Sequence, residues 1–161
     1  MRSKISAENR KIVFSRFFFY ITLQSTWGII QTVLGFCVWL RYRSCPHHFY
    51  RGAVHTEWPE SSGVSLGLFI FTPKPGAEGQ DNMGKERSAR LRVHEYGHTI
   101  QSLLLGPLYL IVIGLPSLVW SRWKRLIWLR RERGISYSWF YTERWADWLG
   151  ERITKEKSCG E

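Results

Sequence analysis

Long uncharged apolar stretches alternate along this chain with short, strongly charged ones, and that segregation predicts most of its elements. Residues 17–40 carry no charge and lie between Arg16 and the pair Arg41 and Arg43. A helix of about 20 apolar residues crosses the hydrocarbon core of a bilayer, so this stretch predicts a transmembrane helix. It is longer than the apolar region of a signal peptide, and no small-residue cleavage site precedes a clear mature start. Gln24, Ser25 and Gln31 interrupt it, which leaves as the alternative a buried helix of a soluble protein in which these groups face another helix. Residues 41–62 are polar and read as an exposed loop. Cys45-Pro46-His47-His48 within them is a poor metal grip, because adjacent histidines on a regular element point apart. From Gly63 to Thr72, Val64, Leu66, Leu68 and Ile70 alternate with Ser65, Gly67 and Phe69, a period of two that predicts a strand. Residues 73–82 are a loop by composition.

A helix is expected to start at Asp81 or Asn82, either of which can cap it, and to run to Leu105, where Gly106-Pro107 breaks it. Thr99 to Ser121 is again uncharged, is interrupted a second time at Gly114-Leu115-Pro116, and ends in Arg122, Lys124, Arg125, Arg130, Arg131 and Arg133. This stretch is long enough to span. Its two proline breaks favour a helical hairpin over residues 103–130 that enters the membrane and returns. The chain then divides into an N-terminal segment, 1–43, carrying the span at 17–40, and a domain at 44–161.

Composition sharpens this picture. The mean hydropathy of −0.24 would suit a soluble protein, but it averages over the segregated runs. The net charge of +10 invites a nucleic-acid reading. The basic residues, however, bracket apolar runs instead of forming a tract interleaved with aromatics, and nine Trp and seven Tyr favour a water–hydrocarbon boundary. The expected partner is therefore an anionic lipid bilayer and not nucleic acid, with one or two spans. Cations lie near every boundary, so charge bias sets no orientation, and nothing in the pattern sets an oligomeric state. Cys37, Cys45 and Cys159 show no CxxC spacing and read as reduced thiols. Trp145 and Trp148 read as core or interface anchors.

Chemistry concentrates in His94-Glu95-Tyr96-Gly97-His98. Histidines four apart share one helical face, close enough for both imidazoles to reach one metal ion, while Glu95 points around the helix to where it can hold a water without being a ligand. A catalytic zinc takes a third protein ligand. Glu143, in Tyr141-Thr142-Glu143-Arg144-Trp145-Ala146-Asp147, can supply it, and Asp147 one turn later can accept the free ring N–H of a liganding histidine. A hairpin between the motifs would return Glu143 to the metal.

HEYGH followed by ERWAD resembles the gluzincin pattern of zinc peptidases. It is most similar to the integral-membrane family containing the CAAX prenyl endopeptidases and the bacterial heat-shock membrane protease. Glu143, Asp147 and Gly150 also resemble the equivalent helix of thermolysin-like enzymes. The resemblance implies a mainly α, membrane-associated fold: a zincin-like active-site helix pair with a small β-strand or hairpin element, whose edge, at 63–72, holds an extended peptide or protein substrate. It implies Zn2+ held by His94, His98 and Glu143, Glu95 as general base, Asp147 as orienter of a histidine, and hydrolysis by zinc-activated water. Such enzymes usually carry a further His, Tyr or Arg beyond the third ligand to stabilise the oxyanion. No histidine follows Glu143 here, which leaves Tyr137, Tyr141, Arg144 and Arg152 as candidate donors. The alternative is a weak or inactive, membrane-anchored zinc-binding scaffold of peptidase-like fold.

Overall fold

The first apolar run folds as two helices, not one. In the computed structural model, which describes residues 15, 17–74 and 82–160, α1 (Phe17–Thr26) and α2 (Ile29–Arg41) are bent by 95° at Trp27-Gly28. The bend satisfies its own backbone: Gly28 N–H donates to Leu23 O at 3.0 Å, and Thr32 Oγ1 donates to Gln24 O at 2.7 Å. It also turns two glutamines inward. Gln24 Nε2 donates to Thr99 O (2.9 Å), and Gln31 Nε2 to Ser102 Oγ (2.8 Å) and Gly106 O (3.0 Å). These partners correct the expectation of a single helix, since the hydrogen bonds that both buried amides make to α3 and the turn after it offset the break in the ladder at a glycine. Gln24 and Gln31 do face another helix, whereas Ser25 is exposed. Among the described residues no single helix is long and apolar enough to cross a membrane.

The segment read as an exposed loop contains a hairpin. Strands β1 (His47–Tyr50) and β2 (Ala53–Trp58) pair antiparallel with Tyr50 opposite Ala53, so Arg51-Gly52 is a two-residue turn. Both turn residues have positive φ, +49° and +100°, the requirement of a type I′ hairpin. Arg-Gly is a weaker signal for that turn than Asn-Gly, which is why the polar composition concealed it. The single strand expected over 63–72 is also a hairpin. Strands β3 (Val64–Leu66) and β4 (Phe69–Pro73) reverse at Gly67-Leu68, where Gly67, at φ +59°, lies so close to Thr32 of α2 that a Cβ would collide with it. Both arms obey the same alternation, so periodicity alone did not reveal the turn. The sheet order is β1-β2-β4-β3, with β2 and β4 parallel and β3 at an edge.

As the sequence predicts, α3 (Asn82–Leu105) runs to the Gly106-Pro107 break; the alternative cap at Asp81 and most of the loop before it lie outside the described residues. After it come a 3-10 turn at Gly106–Leu108, a π-helical turn at Leu110–Gly114, α4 (Leu115–Arg122), α5 (Lys124–Arg133) and α6 (Tyr141–Thr154). The chain direction changes by 119° between α3 and the segment Leu110–Arg122. The protein is thus mainly helical with a small mixed sheet, in the layer order α2, sheet, α3, α6. One sheet face packs Phe69 on Phe36 and Trp39 of α2. The other places Ala53 and Ile70 against Tyr20 of α1 and Tyr96 of α3.

His55 lies on this inner face, 2 % exposed, with Nε2 2.7 Å from Thr72 Oγ1. Burial, with Arg92 and His48 nearby, lowers its pKa to about 4. A group that stays neutral when folded and takes up a proton near pH 6.5 when unfolded contributes stability above pH 6.5 that is lost as pH falls towards 4. A His55→Gln variant is therefore expected to lose less stability than wild type between pH 7.5 and 4.5. The difference, read from urea melts at the two pH values, should be no more than about 3 kcal/mol.

Candidate metal centre

Two close helix contacts build the site. A Cβ on Gly97 of α3 would overlap Ala146 O of α6, and a Cβ on Gly150 would overlap Val93 O. The helices therefore cross backbone to backbone, which only glycine permits at these positions. Glu143 and Asp147, on the α6 face turned to α3, thus arrive beside His94 and His98 and are buried there at 0 % and 7 % exposure.

Their hydrogen bonds fix which atoms face which. His94 Nδ1 lies 2.8 Å from Asp147 Oδ1. A carboxylate can only accept, so Nδ1 carries a proton, and in the neutral ring, the form that binds a metal ion, Nε2 presents a lone pair. His98 Nδ1 lies 2.7 Å from Gln101 Oε1, and Gln101 Nε2 donates to Thr142 O at 2.9 Å, which makes Oε1 the acceptor and again frees Nε2 of the histidine. Thr142 Oγ1 donates to Glu143 Oε1 at 2.9 Å, leaving Oε2. That oxygen lies 3.2 Å from His94 Nε2 and 3.6 Å from His98 Nε2, fully buried and without a hydrogen-bond donor.

Three lone-pair atoms thus converge, all within 4.8 Å of one another. Lone pairs pointed at one another in a buried space repel, and a cation between them turns the arrangement favourable. The His94/His98/Glu143 group can therefore hold a metal ion, and the orphaned Oε2 is the observation that fits it to one. Two imidazoles and one carboxylate, each oriented by an outer hydrogen bond, are a donor set that suits zinc. No other such group of His, Cys, Asp or Glu occurs among the described residues, and His47 is committed to Thr56 Oγ1 and Arg43 O.

Electrostatics follow from these contacts. Burial acts to lower the His94 pKa, but the bond to Asp147 and the Glu143 carboxylate beside Nε2 outweigh it and hold the ring well above its ordinary value when no ion is bound. Burial acts to raise the Glu143 and Asp147 carboxyls, and the adjacent histidines reverse this and hold both below the usual range. Glu95 differs: burial dominates and raises its carboxyl. Its Oε2 accepts from Ser65 Oγ of β3 at 2.8 Å, and a side chain at Gly63 would collide with Oε1. The strand signal at 63–72 therefore does mark the element beside the zinc-motif helix, with β3 at the sheet edge.

The candidate oxyanion donors separate. Tyr141 donates its hydroxyl to Val112 O at 2.6 Å, Arg144 is exposed, and Arg152 lies over the Trp148 ring at 5.3 Å. Tyr137 faces Glu143 and Glu95, and burial of its phenol together with those carboxylates raises its pKa. Its backbone is pinned by Trp120 Nε1, which donates to Tyr137 O at 2.9 Å. Two residues escaped the sequence reading. Gln101 was legible as a polar residue three after His98, on the same helical face. Tyr109, 4 % exposed and within electrostatic reach of Glu95 and Glu143, sits in an apolar run that gave no signal.

No protein-family model matches the chain, and no curated protein or solved structure matches it either.

His94→Ala, His98→Ala and Glu143→Ala are each expected to abolish stoichiometric metal uptake, read by elemental analysis after dialysis. Gln101→Leu and Asp147→Asn should retain the ion with affinity lowered by about 10- to 100-fold, read by chelator competition.

Proposed function

We propose that this protein is a membrane-bound, zinc-dependent peptidase. The carrying observation is the convergence of His94 Nε2, His98 Nε2 and Glu143 Oε2 next to a separate buried carboxyl, Glu95, whose affinity for a proton is raised. A zinc ion held by the first three would supply Lewis acidity towards a carbonyl oxygen and acidify a water molecule. Glu95 is the proton carrier of the reaction: a base works best with a pKa near the operating pH, and burial moves this carboxyl in that direction. Ser65 Oγ holds one Glu95 oxygen in place, and the bare Cα of Gly63 leaves room at the other. Glu95 takes the proton from water and returns it to the leaving amine. Tyr137, half-exposed at the same carboxylates, donates its hydroxyl to the oxygen on which negative charge develops. The edge of β3, where the Tyr109 hydroxyl lies 3.5 Å from Ser65 O and would give way, pairs with the extended substrate backbone, which makes the substrate a peptide or an unfolded segment of a protein. The resemblance of HEYGH and ERWAD to the gluzincin motifs supports the same reading.

Two variants and a chelator test it. Glu95→Gln should keep full metal content while peptide cleavage falls by about 10²- to 10⁴-fold. Tyr137→Phe should keep its metal and KM and lose about 10²- to 10³-fold in kcat. Chelation should stop cleavage by wild type, and added zinc should restore it. A Glu95→Gln protein that cleaves as wild type removes Glu95 as the base, and a metal-loaded wild type that cleaves no peptide removes the peptidase assignment and leaves a metal-stabilised scaffold.

A further inference from the structure

The distribution of polarity over the two bends is inverted relative to a water-facing helix. On α2 the inner face carries Gln31, Thr32 and Gly35, all buried, while the outer face carries Ile30, Val33 and Leu34, each 45–50 % exposed. The second bend repeats the pattern. Thr99, Gln101 and Ser102 are fully buried, and Leu108, Ile111 and Leu115 are 57–67 % exposed. The two bends touch, because Gln31 Nε2 bonds Gly106 O and a Cβ on Gly106 would strike the Trp27 ring. Water is a poor solvent for such a surface, and hydrocarbon is a good one.

The geometry points to insertion of both bends into a single leaflet of an anionic bilayer. At 13 residues α2 is about 20 Å long, α1 is shorter, and the hydrocarbon core is about 30 Å thick. Among the described residues neither arm of the 95° bend is long enough to cross it alone, and in the pair bent by 119° no single helix is both long and apolar enough, so each pair either spans as a broken helix or enters and returns. Irregular backbone at membrane depth is tolerated where protein satisfies its polar groups. Here Thr32 Oγ1 satisfies Gln24 O, and Gln31 Nε2 satisfies Gly106 O. Charge complementarity selects the lipid. Just beyond the second apolar face, α5 carries Lys124, Arg125 and Arg131 beside the exposed rings of Trp123 and Trp128, an arrangement suited to anionic headgroups. This inference rests on the membrane half of the proposed function and is independent of its metal chemistry.

The test uses the full chain with vesicles of phosphatidylcholine, with and without phosphatidylglycerol. Wild type is expected to float with the anionic vesicles. Removing three cations together, Lys124→Gln, Arg125→Gln and Arg131→Gln, should weaken partitioning on the order of a hundredfold. Ile30→Asp with Ile111→Asp, both at exposed positions, should abolish flotation while metal content and circular dichroism stay as in wild type. Single cysteines in a cysteine-free background, paired as Ser15→Cys with Arg43→Cys and as Lys85→Cys with Arg125→Cys, should all react with an impermeant maleimide from outside sealed vesicles. If one member of a pair reacts only after detergent, the bend spans and the single-leaflet model is overturned, although the protein is still membrane-bound. A folded, metal-binding wild type that does not float, or that buries these faces in a stable dimer instead, overturns membrane docking itself.

Discussion

The crossing of α3 over α6 at Gly97 and Gly150 is the contact on which the rest of the molecule depends. The three ligand groups of the metal centre lie on these two helices, and the contacts that cross between them, His94 to Asp147 and Glu143 and Gln101 to Thr142, depend on how closely the axes approach. His94 Nε2 and Glu143 Oε2 are 3.2 Å apart because Ala146 O and Val93 O each rest against a bare Cα of the opposite helix. Core interiors are close-packed, so a methyl group at either point has nowhere to go and must push the helices apart. The two motifs are therefore defined as much by glycine and alanine as by histidine and glutamate. Side chains supply the donors, and missing side chains supply the distance.

Around this crossing the molecule places polar groups inside and apolar groups outside to an unusual degree. Gln24, Gln31, Gln101, Thr99 and Ser102 are all fully buried, and each is bonded to a neighbouring element or to its own helix. Hydrogen bonds from buried amides are directional, so those of Gln24 and Gln31 set the positions of α1 and α2 against α3 more narrowly than aliphatic packing would. Gln101 serves both purposes at once, accepting from His98 Nδ1 and donating to Thr142 O on α6. It orients a ligand and locks the helix crossing with one side chain.

Legibility in the sequence divides along physical lines. The α3 helix, its break at Gly106-Pro107, and the four residues His94, His98, Glu143 and Asp147 were all readable, because helical periodicity and ligand spacing are local properties. The turns at Arg51-Gly52 and Gly67-Leu68 were not. Each depends on positive φ tolerated by one glycine within a pattern that also suits an uninterrupted loop or strand. The bend at Gly28 was hidden for a different reason. Uncharged composition signals burial or lipid equally well, and only the tertiary partners of Gln24 and Gln31 reveal that the helix turns back on the protein. Tyr137 could be proposed from its place in the sequence, but the choice over Tyr141 and Arg144 required knowing that Tyr141 already bonds Val112 O.

The helix that carries His94 and His98 also carries part of the inverted surface. His98 is followed by Thr99, whose carbonyl receives Gln24, and by Ser102, which bonds both Gln24 Oε1 and Gln31 Nε2, before the chain bends at Gly106. Roughly two helical turns separate the last histidine from the bend, about 11 Å along the axis. If the bends rest in a leaflet, this short stiff arm fixes the height of the centre just above the hydrocarbon boundary. The edge of β3 is set by the same arm, since Ser65 bonds both the Glu95 carbonyl at 2.6 Å and its carboxylate. A peptide reaching that edge from the membrane surface would be held extended within reach of Glu95, whereas a folded domain could not approach so closely.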